Sequence, residues 1–159
     1  MKVITRNMLA AIIGLSILCF SATAAQFSAK DLAATPEVIT IDNKKLVLHA
    51  NLSRDFMPIS PPEGKPLAAS LEISTLGNVN LPLGLEVECV WLVNGNEVWS
   101  TSIFNVKKRD HTSAKMWITV GSDLYWRPET KVDIVIRLKD VIGQAWLLKA
   151  GEQVIHRTE

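Results

Sequence analysis

Period-two alternation of apolar and polar residues, repeated in segment after segment, constrains this chain more than any other feature, because a half-buried strand is the element that fits it. Leu46, Leu48, Ala50 and Leu52 alternate with Val47, His49 and Asn51. Leu67, Ala69, Leu71 and Ile73 alternate with Ala68, Ser70, Glu72 and Ser74. A third strand sets Leu85, Val87, Cys89, Trp91 and Val93 against Glu86, Glu88, Val90 and Leu92. The turn Asn94-Gly95-Asn96 tolerates positive φ, so a fourth strand, Glu97 to Phe104, returns as a hairpin.

Beyond the polar loop Asn105 to Ser113, a fifth strand spans Ala114 to Val120. The sixth places Val132, Ile134, Ile136 and Leu138 on one face and Lys131, Asp133, Arg137 and Lys139 on the other. The turn Asp140-Val141-Ile142-Gly143 leads to a seventh, Gln144 to Ala150. No eleven-residue window after residue 25 carries a helical period. The expected fold is therefore all-β: a sandwich of about seven antiparallel strands over residues 38–159, without strand-helix alternation. A polar leader at 26–37 and an N-terminal signal helix at 1–25 precede it.

Trp91 on the third strand and the approach Leu124-Tyr125-Trp126-Arg127-Pro128-Glu129-Thr130-Lys131-Val132 resemble the immunoglobulin and fibronectin type III superfold. Fibronectin type III domains enter the penultimate strand through a leucine, a proline and a threonine, with a tyrosine two residues later. Here Leu124, Pro128 and Thr130 keep a looser spacing, and Val132 stands where the tyrosine would be. The resemblance implies an immunoglobulin-like sandwich. It implies little about function, since such sandwiches serve adhesion, chaperoning, sugar binding and spacing alike.

The signal assignment rests on Lys2 and Arg6, the thirteen-residue apolar run Met8 to Phe20, and the small residues Ser21-Ala22-Thr23-Ala24-Ala25. Thirteen residues are few for a bilayer span. The expected location is secreted or periplasmic. Cleavage after Ala24 or Ala25 removes two of the 17 basic residues and none of the 16 acidic ones, leaving 15 against 16. That balance argues against a nucleic-acid partner, whose phosphates call for a basic stripe. The cluster Lys107-Lys108-Arg109 reads as a solvated turn. Cys19 leaves with the signal, so Cys89 has no intramolecular partner and, by alternation, is expected as an inert thiol in the core.

Catalysis needs convergent polar groups, and the sequence gives no motif that brings them together. His49, His111 and His156 are 62 and 45 residues apart and form no ligand motif, with or without the thioethers of Met57 and Met116. There is no Gly-x-Ser-x-Gly elbow, and Glu86 and Glu88 read as an exposed polar stripe. No cofactor is expected.

The five tryptophans are the main lead. Trp91 and Trp146 share faces with aliphatic residues; Trp99 is ambiguous, Trp117 falls on a polar face, and Trp126 lies in a turn beside Tyr125. Outward tryptophans anchor sugars or protein partners. The connection Arg54 to Pro66 holds four prolines and carries Phe56 and Met57, reading either as a partner-binding loop or as a cap over the sandwich end. The candidate contact residues are thus Phe56, Met57, Trp99, Trp117, Tyr125 and Trp126. The expected function is an exported, non-catalytic module that binds or assembles with an envelope or secreted protein. A carbohydrate-binding module is the alternative, and periplasmic metal handling or an enzyme is a distant third.

Overall fold

Residues 27–102 and 114–159 are described in the computed structural model; the signal segment, the cluster Lys107-Lys108-Arg109 and His111 lie outside them. Among the described residues one short helix, α1 (Ala29–Ala33), precedes eight strands. These are β1 (Val38–Ile41), β2 (Lys44–Asp55), β3 (Ala68–Thr75), β4 (Glu86–Asn94), β5 (Glu97–Ser102), β6 (Lys115–Gly121), β7 (Lys131–Lys139) and β8 (Ala145–Thr158). The hydrogen-bonded path runs β5-β4-β7-β8-β2-β3-β6, with β1 added to β2. It curls so that β2, β3 and β6 face β4, β7 and β8 across one core. All pairings are antiparallel except that of β2 with β8, which is parallel from Leu52↔Ile155 to Asp55↔Thr158. Strand β2 is shared between a sheet with β3 and β6 and one with β8, β7 and β4, so the expected all-β fold is the observed one, with eight strands and one parallel pairing where about seven antiparallel strands were expected.

The alternation places the core directly. Leu46, Leu48 and Leu52 from β2, Leu71 and Ile73 from β3, and Ile118 and Val120 from β6 meet Ile134, Ile136, Leu138 and Leu148. Each such side chain contributes roughly 1.5–3 kcal/mol on burial.

Three differences from the sequence reading have physical reasons. First, β1 was not foreseen: Asp42 and Asn43, both at positive φ (50° and 59°), form a two-residue turn that pairs Val38–Ile41 with Lys44–Val47. Second, β8 runs to Thr158 instead of ending at Ala150, because a register shift opposite Val132/Ile134 and the left-handed Glu152 redirect it onto β2.

The third difference changes a face. A bulge in β4 between Val87 and Cys89 adds one residue against β7. Leu85 and Val87 remain in the main core, but beyond the bulge Val90 and Leu92 point inward. Cys89, Trp91 and Val93 turn to the outer surface, where the N-terminal segment covers them. Trp91 is therefore buried outside the sandwich core, with Phe27 edge-on at 5.5 Å between ring centroids and Leu32 and Val135 beside it. Cys89 is half-buried at the margin of this second cluster, and its Sγ lies 3.9 Å from Ser102 Oγ. The leader at 26–37 thus contains a strap held by a capping box at Ser28 and Asp31, by Lys149 Nζ on the Ala33 carbonyl (2.8 Å) and by Lys149 N on the Pro36 carbonyl (2.9 Å).

Candidate functional site

Strand directions divide the candidate residues between two ends and one face of the sandwich. At one end lie the proline-rich connection, the β4–β5 hairpin, the loop between β6 and β7, and the end of β8. The opposite end carries the β1–β2 turn, the β3–β4 connection and the β7–β8 hairpin.

The first end is closed by Arg54. Parity along β2 continues from Leu52 and points Arg54 inward, where it is only 5% exposed. Its Nε donates to the Lys65 carbonyl at 3.0 Å and its Nη1 to those of Tyr125 (3.2 Å) and Trp126 (3.3 Å), while Nη2 donates to Glu63. The guanidinium also lies against the rings of Phe56 (4.9 Å) and Tyr125 (5.1 Å), and Arg157 covers Phe56 at 4.3 Å. Gly64, at φ +76°, closes over Phe56: a Cβ there would sit 2.7 Å from Cε1 of the ring. A hydrogen bond from Lys65 is the main reason the neighbouring Asp55 carboxyl is held below its ordinary pKa, with the Met57 N–H acting in the same direction.

Phe56 is accordingly half-buried in this cap and Tyr125 is exposed along one edge, while Met57 faces solvent at the loop surface. Trp99 and Trp126 complete the closure. The indole N–H of Trp99 donates to Asp123 Oδ1 and that of Trp126 to Glu97 Oε2, both at 2.7 Å. Both rings pack against the main core, tying the β4–β5 hairpin to the β6–β7 loop. The proline-rich connection closes this end of the sandwich while Met57 and Ile59 stay exposed on it.

Trp117 is different. It is 41% exposed on the outer face of β6, as its alternation with Met116 and Ile118 requires. Cross-strand register aligns His49, Glu72 and Trp117 in one row and Asn51, Ser70 and Thr119 in the next. Glu72 accepts from the Trp117 indole N–H at 3.0 Å and from Lys115 Nζ at 2.8 Å. The Lys115 hydrogen bond is the main cause of a Glu72 pKa below the ordinary value; Trp117 and the charge of nearby His49 act in the same direction, against partial burial. Beside the indole is a shallow depression of about 250 Å³ lined by His49, Asn51, Ser70, Glu72 and Trp117 over the Ala50 and Leu71 backbone.

The second end holds residues that the alternation argument passed over. Residues 76–85 contain no charged side chain, and Leu76, Val79 and Leu83 (70%) are exposed. In the β7–β8 hairpin, Asp140 Oδ1 accepts from the N–H groups of Ile142 (3.0 Å) and Gln144 (2.9 Å), fixing a turn that projects Val141 (79%) and Ile142 (82%). The two loops meet where Val141 packs on Gly84, at φ +66°, with no room for a Cβ. Aliphatic residues at turn positions were the signal available in the sequence.

His49 and His156 are exposed on separate strands, and Glu88 lies between Arg137 Nε (3.2 Å) and Lys139 Nζ (3.1 Å). Among the described residues, no three His, Cys, Asp or Glu side chains are grouped as a metal-ligand set. No protein-family model, curated protein or solved structure shows a match to this chain.

Proposed function

We propose that this chain is an exported, non-catalytic β-sandwich module that recognises a protein partner through the loop end built from residues 76–85 and 140–144. The observation that carries the reading is the projection of Leu83, Val141 and Ile142 from two short loops that contain no competing charge between them beyond the capped Asp140. Exposed aliphatic groups gathered at one place on a polar protein mark contact surfaces. In sandwiches of this layout the loops joining these same strand pairs are presented together at one end, on a rigid frame. At the opposite end the indoles of Trp99 and Trp126 are tied to Asp123 and Glu97, while Met57, Ile59 and Tyr125 remain exposed.

A photocrosslinking residue introduced at Ile142 in the full-length chain, expressed in the source cells, tests this directly. The expected result is a discrete adduct with one protein, or with a second copy of the chain if the module self-assembles, and its loss on adding Leu83→Asp. A control probe at Thr119, on the outer face of β6, gives no such adduct. Crosslinking that is diffuse, or equal at both positions, overturns the reading.

A further inference from the structure

The outer face of β2, β3 and β6 carries a second surface that the loop-end reading does not use. Trp117 is 41% exposed on the outer face, with Lys115 Nζ 6.0 Å from its ring centroid, while its inward neighbours Met116 and Ile118 supply core contacts. Yet the ring is held in one orientation by the Glu72 carboxylate, which is itself held by Lys115. An aromatic plane fixed before any ligand arrives loses little entropy on binding. Around it the side chains are short or polar, and Ser70 and Asn51, two residues along their strands from Glu72 and His49, leave the depression open beside the indole.

The chemistry of this surface narrows its ligand. Glu72, the only carboxylate lining the depression among the described residues, is paired with a lysine and faces His49 across the strand pair, so these residues offer neither a net basic cradle for phosphate nor a grouped carboxylate set for a cation. It offers a flat apolar ring bordered by an amide, a hydroxyl, an imidazole and a carboxylate with remaining acceptor capacity. A pyranose has the complementary form: a face of C–H bonds that lies on an indole, and a rim of hydroxyls that both donate and accept. We infer that this face is a saccharide-binding site for a neutral pyranose chain, with Trp117 as the stacking residue and Glu72, Asn51, Ser70 and His49 as hydrogen-bonding partners. Such a site lies on the sheet face and not on the loops of the loop end, so that a module could hold a glycan and a protein together.

The test is an NMR titration of the purified, isotope-labelled chain with chitotetraose, cellotetraose and maltotetraose, using glycerol as the control for non-specific polyol effects. One of the three is expected to shift the Trp117 indole N–H together with the Asn51 and Ser70 amides, saturating with a Kd on the order of 1 mM or tighter. Trp117→Ala, verified as folded by circular dichroism, weakens that binding about tenfold or more. Trp117→Phe, which keeps a ring but loses the bond to Glu72, retains part of it. Asn51→Ala and Ser70→Ala each weaken it while leaving the fold unchanged. Absence of any shift with all three sugars at about 10 mM, an equal shift with glycerol, or binding undiminished by Trp117→Ala overturns the proposal. The Leu83→Asp variant is expected to bind the sugar normally, which keeps failure of this proposal distinguishable from failure of the loop-end reading.

Discussion

Arg54 shows how one residue can decide the form of a whole end of the molecule. Its position was readable in part: strict parity from Leu46 through Leu52 brings the next inward position onto an arginine, where a strand that simply ended would place a solvated residue. Its partners were not readable, because Glu63, Lys65, Tyr125 and Trp126 come from two connections separated by some sixty residues of sequence, and local pattern says nothing about which loops converge. The same limit applies to Trp99 and Trp126, whose side of the sheet was open or undefined until Asp123 and Glu97 were seen to receive them. For Trp117 the alternation with Met116 and Ile118 placed the ring on the outer face, but not its bond to Glu72, 45 residues away in sequence. Replacing Arg54 by Met preserves much of the buried volume but removes the donors from four carbonyls, a loss of about 3 kcal/mol. Arg54→Lys recovers less than half, since a single ammonium cannot reach carbonyls on both connections. Urea denaturation of the three proteins checks the order. A stability of Arg54→Met equal to that of the parent would mean that the loops close without the guanidinium.

At the scale of elements, the bulge in β4 is the feature that most separates pattern from structure. The alternation of Leu85, Val87, Cys89, Trp91 and Val93 is perfect in sequence, yet it crosses from the inner face to the outer one between Val87 and Cys89. The opposing series Val90 and Leu92 was equally apolar, so a strand buried on both faces gave no period by which to detect the shift. Once Trp91, Val93 and Val135 face outward they need a cover, and Phe27 and Leu32 of the N-terminal strap provide it. This accounts for an apolar pair inside a segment that composition alone described as polar. Five helical residues are too few to be stable in isolation, so α1 forms because Leu32 is buried and Ser28 caps it. Leu32→Ser is expected to detach the strap while leaving the sandwich folded, at a cost of about 2–4 kcal/mol. Trp91 emission then shifts to the red and Cys89 reacts faster with a thiol reagent, two readouts that a mere loss of global stability would not produce below the unfolding transition. Unchanged reactivity of Cys89 would show that the strap is not what shields it.

For the whole molecule, the decisive junction is the parallel pairing of β8 with β2, because it joins what would otherwise be two separate sheets into one curled path. The alternation marks the two inner faces but ends at Ala150, since Gly151, Glu152 and Gln153 break it just where the chain changes partners. The redirected segment carries the fully buried Ile155, whose N–H donates to the Thr130 carbonyl at 3.0 Å and whose carbonyl accepts from Glu129 N–H at 2.9 Å. Two residues on, Arg157 stacks on Phe56, and the Thr158 carbonyl accepts from Phe56 N–H at 2.8 Å. Closure of the sandwich and closure of the proline-rich cap therefore depend on the same eight residues. Ile155→Ala, which only leaves a cavity, is expected to cost about 2–4 kcal/mol with cooperative unfolding retained. Ending the chain after Gly151 removes the burial, the parallel ladder and the anchor of Phe56 together, a sum comparable with the whole stability of about 5–15 kcal/mol typical of a domain. The truncated chain is expected to unfold without a sharp transition and to bind a hydrophobic dye. In the intact protein the same coupling predicts that the amide hydrogens of Phe56 and Ile155 exchange together, at a rate close to that of global opening. Exchange of Phe56 much faster than Ile155 would show that the cap opens independently, and the cap and the sandwich would then have to be treated as separate units of stability.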